Sequence, residues 1–279
     1  MSGAAESVPV TVIQGGHQRR WVDWREFWEY RDLLYFLVWR DIKARYAQSV
    51  LGIGWAVIQP VFTMVVFTVV FGNLAEISSD GVPYSIFSLA ALVPWTYFST
   101  ALTSSSTSLT TASGMITKVY FPRLVIPLTP VLGKLVDFCI GIVIVSCFML
   151  WYGITPTPWV ILLPFLVIVM MITAAGMGMW VTALAVQYRD VQYAMSFLIQ
   201  LLMYAAPVVY PASLIPAQYR AIYAINPMAG VIEGFRSVLL STNPVPWDLI
   251  IIGALSAVTI VTSGLLFFQR MEKNFADVA

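Results

Sequence analysis

Charged side chains are so sparse in this sequence that each one inside an apolar stretch is a candidate for chemistry. Two pairs qualify. Lys134 and Asp137 lie three residues apart at the start of a long apolar run, on one face of a helix. Ionisable groups at membrane depth are costly and often functional. Near the end of a span, however, long side chains reach the interface and pair cheaply. The pair therefore reads as a structural clasp or subunit anchor, with proton coupling as the alternative. A proton-driven transporter would place its acid nearer mid-span, and no other span contains one. Glu233 and Arg236 repeat the three-residue spacing within a proline-rich stretch, where they either pair with each other or flank an exit.

Other chemistries lack their residues. The one Gly–Lys pair, Gly133–Lys134, has Leu128 where a phosphate loop needs its first glycine and Leu135 where it needs a hydroxyl. His17 is the single histidine, which excludes a zinc site built from histidines and argues against a serine–histidine hydrolase. Cys139 and Cys147, eight residues apart on a helix, are separated by about 12 Å, too far for a disulfide. A membrane-embedded transferase needs polar catalytic groups gathered at one depth, and none are. Gln200 is an isolated amide in its span, suited to a helix-to-helix hydrogen bond. The 10 Trp, 13 Tyr and 16 Phe supply interfacial belts and cores. Trp95, Tyr97, Phe98 and Tyr204, with serines and threonines nearby, could instead line a conduit whose rings stack on sugars.

The elements that hold these residues follow from hydropathy. Of 279 residues, 59% are hydrophobic and 10% charged, and the mean hydropathy is +0.81. Soluble domains carry about 25% charged residues, so lipid is the fitting solvent. Residues 1–20 read as a flexible cytoplasmic tail without the compact apolar core of a signal peptide. Residues 21–47 place Trp24, Phe27, Trp28, Leu34, Tyr35 and Val38 at helical spacing among charges, which suits an amphipathic helix lying in the interface, or a cytoplasmic helix packed on the rest. Residues 48–279 form the membrane domain, with six spans expected at about 51–71, 84–103, 132–152, 159–186, 191–209 and 249–268. Ala174, Ala175, Gly176 and Gly178 permit close packing of the fourth. Five prolines break residues 210–247, leaving two short helices at about 216–224 and 228–240 that dip into the membrane or cap its outer side; a plain loop is the alternative. The fold class is thus an all-α membrane protein of six transmembrane helices, with an N-terminal interfacial helix and short re-entrant helices before the last span.

Orientation follows from the basic residues. With the N-terminus inside, Arg19, Arg20, Arg25, Arg31, Arg40, Lys43, Arg45, Lys118, Arg123, Lys134, Arg189, Arg270 and Lys273 fall at or near the cytoplasmic side, and only Arg220 and Arg236 fall outside. That bias puts both termini in the cytoplasm.

The run Arg45-Tyr46-Ala47-Gln48-Ser49-Val50-Leu51-Gly52-Ile53-Gly54-Trp55, followed by Gln59-Pro60, resembles the opening of polysaccharide-export permeases of the type-2 ABC exporter class. Lys118-Val119-Tyr120-Phe121-Pro122-Arg123, Tyr188-Arg189-Asp190, Asn226-Pro227 and Glu233-Gly234-Phe235-Arg236 follow in the order that family shows. The resemblance implies a channel-forming homodimer in the bacterial inner membrane, docked to two copies of a separate ATPase that binds ATP and Mg. This chain would carry no cofactor, bind no nucleic acid and catalyse no covalent step. Its cargo would be a lipid-linked glycan, typically O-antigen on undecaprenyl diphosphate; teichoic-acid or capsular-polysaccharide export is the alternative, and a secondary transporter a more distant one. Residues 111–123 match the family's coupling helix, with Thr111, Lys118, Tyr120 and Arg123 facing the ATPase. Arg40, Lys43 and Arg45 would attract the diphosphate or simply anchor topology. The segment 210–240 matches gate helices, which puts Glu233 and Arg236 near the exit.

Overall fold

The computed structural model describes residues 24–47, 52–116, 118–188 and 190–272, and all regular structure among them is helical. The expected tail, His17, Arg189 and Lys273 lie outside the described residues. A short helix α1 (Trp24–Glu29) turns at Tyr30 into α2 (Arg31–Ala47). Next comes α3 (Gly54–Phe67), which passes into a π-helical stretch, Thr68–Leu74. The 28-residue α4 (Tyr84–Thr111) is followed by a single turn, α5 (Ser113–Ile116). Helices α6 (Val125–Gly133) and α7 (Leu135–Tyr152) meet at Lys134. A 3₁₀ turn, Pro158–Leu162, leads into α8 (Leu163–Gln187), and α9 (Asp190–Ala205) follows. The chain ends with α10 (Ala217–Ala224), α11 (Pro227–Leu240) and α12 (Trp247–Glu272).

Among the described residues, five helical stretches are long and apolar enough to cross a membrane: Gly54–Leu74, Tyr84–Thr111, Val125–Tyr152, Pro158–Gln187 and Trp247–Glu272. This makes the protein an all-α multi-pass membrane protein. The third begins about two turns earlier than hydropathy places it, because Pro127 and Pro130 are tolerated where α6 packs against α2, α4 and α8. The stretch expected to span at 191–209 is helical only to Ala205. At 16 residues α9 is about 24 Å long, short of a ~30 Å hydrocarbon core. Pro207 and Pro211 follow it, each removing a backbone donor and steering the preceding residue out of helical geometry.

The centre of the bundle is α11. All 14 of its residues are buried, among α4, α8 and α12. Asn226 caps its first turn by accepting from the Met228 amide, with Pro227 at the position where a missing N–H does no harm. Close helix approach makes this burial possible. A Cβ on Gly230 would strike the Leu249 carbonyl oxygen of α12. The small residues of α8 work in the same way: Gly176 lies against the backbone of Val261, and Gly264 against the Gly176 carbonyl. Tyr97, Phe138 and Phe235 then stack edge to face, at 5.8 and 5.9 Å, joining α4, α7 and α11.

Contacts define two ends of the bundle. At one, α2 packs on α6, and Arg123 donates to the Glu272 carbonyl at 2.8 Å. At the other, the Tyr84 hydroxyl reaches the Val209 carbonyl, Asp80 accepts from Ser213 and Asn243, and Thr157 bonds the Val238 carbonyl. Helix α9 starts at the first end, just past α8, and finishes at the second, where Asn226 holds the Ala205 carbonyl at 3.1 Å.

Candidate functional site

Most of the polar character lies in two clusters, one at each end. The first joins α2 to the α6–α7 junction. Arg45 gives Nη2 to Asp41, one helical turn earlier, and Nη1 to Asp137 of α7, each at 2.6 Å. The Tyr46 hydroxyl takes the other oxygen of Asp137. Burial first, and then the Asp137 carboxylate, push the Tyr46 phenol up to about 12 from its ordinary value. Lys134 stands 3.7 Å from Asp137, outside hydrogen-bond range. The expected Lys134–Asp137 pair exists, but Asp137 makes its short bonds to α2 instead. Asp41 and Tyr46 carry this cluster, and sequence inspection does not single them out. The i,i+4 spacing of Asp41 and Arg45 was a local signal; the 92-residue step to Asp137 was not legible.

Beside the cluster lies an open cavity of about 230 Å³ between α2, α3, α4 and α7. Arg45, Tyr46, Lys134 and Asp137 close one end, Gln59, Thr96 and Thr100 give it polar walls, and Trp55, Pro60, Val93 and Phe138 give it apolar ones.

The second cluster surrounds Arg236, which has no exposed surface. Its guanidinium lies 3.5 Å above the Phe87 ring. It donates to the carbonyls of Phe87, Val208 and Tyr210 and to Glu233 Oε1, at 2.8–3.2 Å. Glu233 Oε1 also accepts from the Ala212 amide at 2.8 Å. A charge this deeply buried persists only when paired and hydrogen-bonded, and this one is both. Arg236 thereby fastens the irregular segment after α9 to α4 and α11. Glu233 and Arg236 thus pair with each other, buried in the core of the chain. Nearby on the surface, Arg220 and Asp248 form a separate ion pair.

The remaining expected residues divide clearly. Trp95, Tyr97 and Phe98 are buried within this chain, Tyr97 donating to the Val131 carbonyl at 2.8 Å and bordering the cavity beside Thr96 and Thr100. The opposite side of α4 carries Thr96, Ser99, Thr100, Thr103 and Thr107, hydroxyl residues only partly covered or exposed. Tyr204 on α9 is exposed. Residues 111–123 are not one helix: Thr111 ends α4, α5 is a single turn, and Lys118 and Tyr120 project from an exposed irregular stretch pinned by buried Phe121. Pro122 withholds an amide there. Arg123 is turned inward to the end of α12. Arg40 and Lys43 are exposed, on the α2 face that also presents Tyr35, Phe36 and Trp39; Trp28 of α1 is exposed as well.

No group of three or more histidine, cysteine or acidic side chains capable of holding a metal occurs among the described residues. The apolar helical stretches, clasped by a polar cluster at each end, define a helical multi-pass membrane protein. Residues 32–240 match the ABC-2 type transporter family, and the chain belongs to it, as a membrane-spanning permease subunit. It is 30% identical over 256 residues to the O-antigen export system permease protein RfbA of Myxococcus xanthus, covering 91% of this chain and 97% of that one. The protein of the same name from Klebsiella pneumoniae is 28% identical, over 88% and 95%. The polysialic acid transport protein KpsM of Escherichia coli is 22% identical over 72% and 78%.

Proposed function

We propose that this chain forms, with a second copy of itself, the channel of an ATP-driven exporter that carries lipid-linked polysaccharide of the O-antigen type across the bacterial inner membrane. The near end-to-end similarity to O-antigen export permeases carries this reading. Capsular polysaccharide is the second reading, favoured only by the more distant polysialic acid transport protein.

Several features support the details. Helix α9 runs between the same two ends as the longer helices, so a sixth crossing restores the even count that returns both termini to the cytoplasm. The face of α2 bearing Tyr35, Phe36 and Trp39, with exposed Trp28 of α1, suits the headgroup layer, where aromatic rings settle, and Arg40 and Lys43 on α2 suit anionic phosphates. The exposed stretch with Lys118 and Tyr120, next to α5, offers the ATPase a contact at the α2 end. ATP and Mg belong to that partner. Helices α10 and α11 would gate the far side, with the Arg236 cluster holding the central α11 in register.

The test is to co-purify this chain with a candidate partner ATPase and to assay surface glycan in cells. Replacing Lys118 and Tyr120 by alanine should weaken ATPase retention and glycan export together. Normal export with the whole 111–123 segment scrambled would refute the coupling role, and intact surface glycan in a deletion strain would refute the cargo.

A further inference from the structure

The cavity between α2, α3, α4 and α7 has charges at one end and apolar walls leading away from them. Its cations are not equally engaged. Arg45 is held by two carboxylates at 2.6 Å, so its position is set by Asp41 and Asp137. Both oxygens of Asp137 are taken, one by Arg45 and the other by Tyr46. The Lys134 ammonium has three donors and, among the described residues, stands 3.7 Å from its one ion-pair partner, Asp137. It therefore keeps donors for a guest in the cavity it lines. The volume of about 230 Å³ far exceeds the ~10–15 Å³ that one water requires. Above the charges, Pro60, Val93, Phe138 and Gly141 offer an acyl or polyprenyl chain a dry surface, and Gln59, Thr96 and Thr100 offer hydrogen bonds at the boundary.

We infer that this cavity seats the phosphate head of a membrane lipid, with Lys134 as its ligand and the Asp41–Arg45–Asp137–Tyr46 network holding the seat in shape. The cluster is close to neutral, with two cations against two carboxylates, so selection comes from directed donors and not from a broad positive field. Lys134 thus gains a role distinct from the clasp expected of it. The choice of one probe below rests on the exporter reading; the seat itself does not.

The test uses the full chain in phosphatidylcholine nanodiscs doped with phosphatidylglycerol or with undecaprenyl diphosphate, and native mass spectrometry to count retained lipids. Wild type should keep one phosphate-headed anionic lipid per chain in preference to phosphatidylcholine. Lys134→Met should weaken retention about tenfold, as expected for loss of a hydrogen bond to a charged group. Lys134→Arg should recover most of it, and Arg31→Gln, an exposed change of equal charge, should leave it unaltered. Thr96→Phe fills the cavity without touching a charge and should also abolish retention, which keeps the test decisive if Lys134→Met fails to fold. Preference for undecaprenyl diphosphate assigns the seat to the cargo lipid; preference for phosphatidylglycerol assigns it to a structural lipid. Equal retention by wild type and Lys134→Met, phosphatidylcholine held as tightly as the anionic lipids, or inorganic pyrophosphate competing at the same concentration would each overturn the inference. Because binding is read without ATP or export, such a failure leaves the exporter reading intact, and loss of export with retention intact would strike only that reading.

Discussion

Replacing Arg236 with methionine should be among the most damaging single changes in this protein. Methionine fills much the same length but provides none of the donors. Three backbone carbonyls, those of Phe87, Val208 and Tyr210, lose a partner, and buried Glu233 loses its counter-charge. Breaking one half of a buried pair typically costs about 3–5 kcal/mol. At ~2–4 °C per kcal/mol, this is a fall of roughly 6–20 °C in the melting temperature. Circular dichroism melts of the purified chain in detergent would measure it. Arg236→Lys keeps the charge but cannot reach three carbonyls and a carboxylate from one nitrogen, so it should fall between. The double change Arg236→Met with Glu233→Leu removes both charges and should recover part of the loss. It should still sit about 1–3 kcal/mol below wild type, because the Ala212 amide then has no acceptor. Strictly additive single effects, or an Arg236→Met chain within ~1 kcal/mol of wild type, would refute the view that this pair fastens the segment after α9.

Asp137→Asn removes the charge that draws Arg45 across from α2; it should cost about 1–2 kcal/mol and raise amide hydrogen exchange in Arg31–Ala47 selectively. The phenol of Tyr46, raised from 10.0 to about 12, makes its contribution in the protonated form. That stabilisation is complete below pH 10 and lost as pH climbs through about 12. Ultraviolet absorbance titration of Tyr46→Phe should show one fewer late-ionising tyrosine than wild type. Gly230→Ala drives a methyl into the Leu249 carbonyl, and Gly264→Val drives a larger group into that of Gly176. Each should destabilise by about 1–3 kcal/mol or more, with Gly264→Val the worse, as judged by the yield of monodisperse protein.

Local pattern made much of this molecule legible. The apolar runs located the helices at 84–103, 159–186 and 249–268, and the proline punctuation anticipated the two short helices now seen as α10 and α11. The small residues of α8 announced a close crossing, which occurs at Gly176 and Gly264. Hydropathy failed where length and packing disagree. It carried the fifth apolar stretch four residues past the end of α9, since an average over a window does not register where Pro207 breaks the ladder. It also started the third helix late, because α6 is held by its neighbours as much as by its own propensity.

The sequence alone determined the solvent and the family. A chain with 10% charged residues and long uncharged runs must satisfy its backbone within helices in lipid, and ordered motifs are local strings that survive any packing. The tertiary structure decided which side chains are available. Trp95, Tyr97 and Phe98 are buried within the chain, while Thr96, Ser99, Thr100, Thr103 and Thr107 of the same helix are left partly covered or exposed. Asp137 looks like the partner of Lys134, yet it bonds to Arg45 and Tyr46, 92 and 91 residues away. Spacing along one helix shows which residues share a face, but which face meets which neighbour depends on how all the helices pack together.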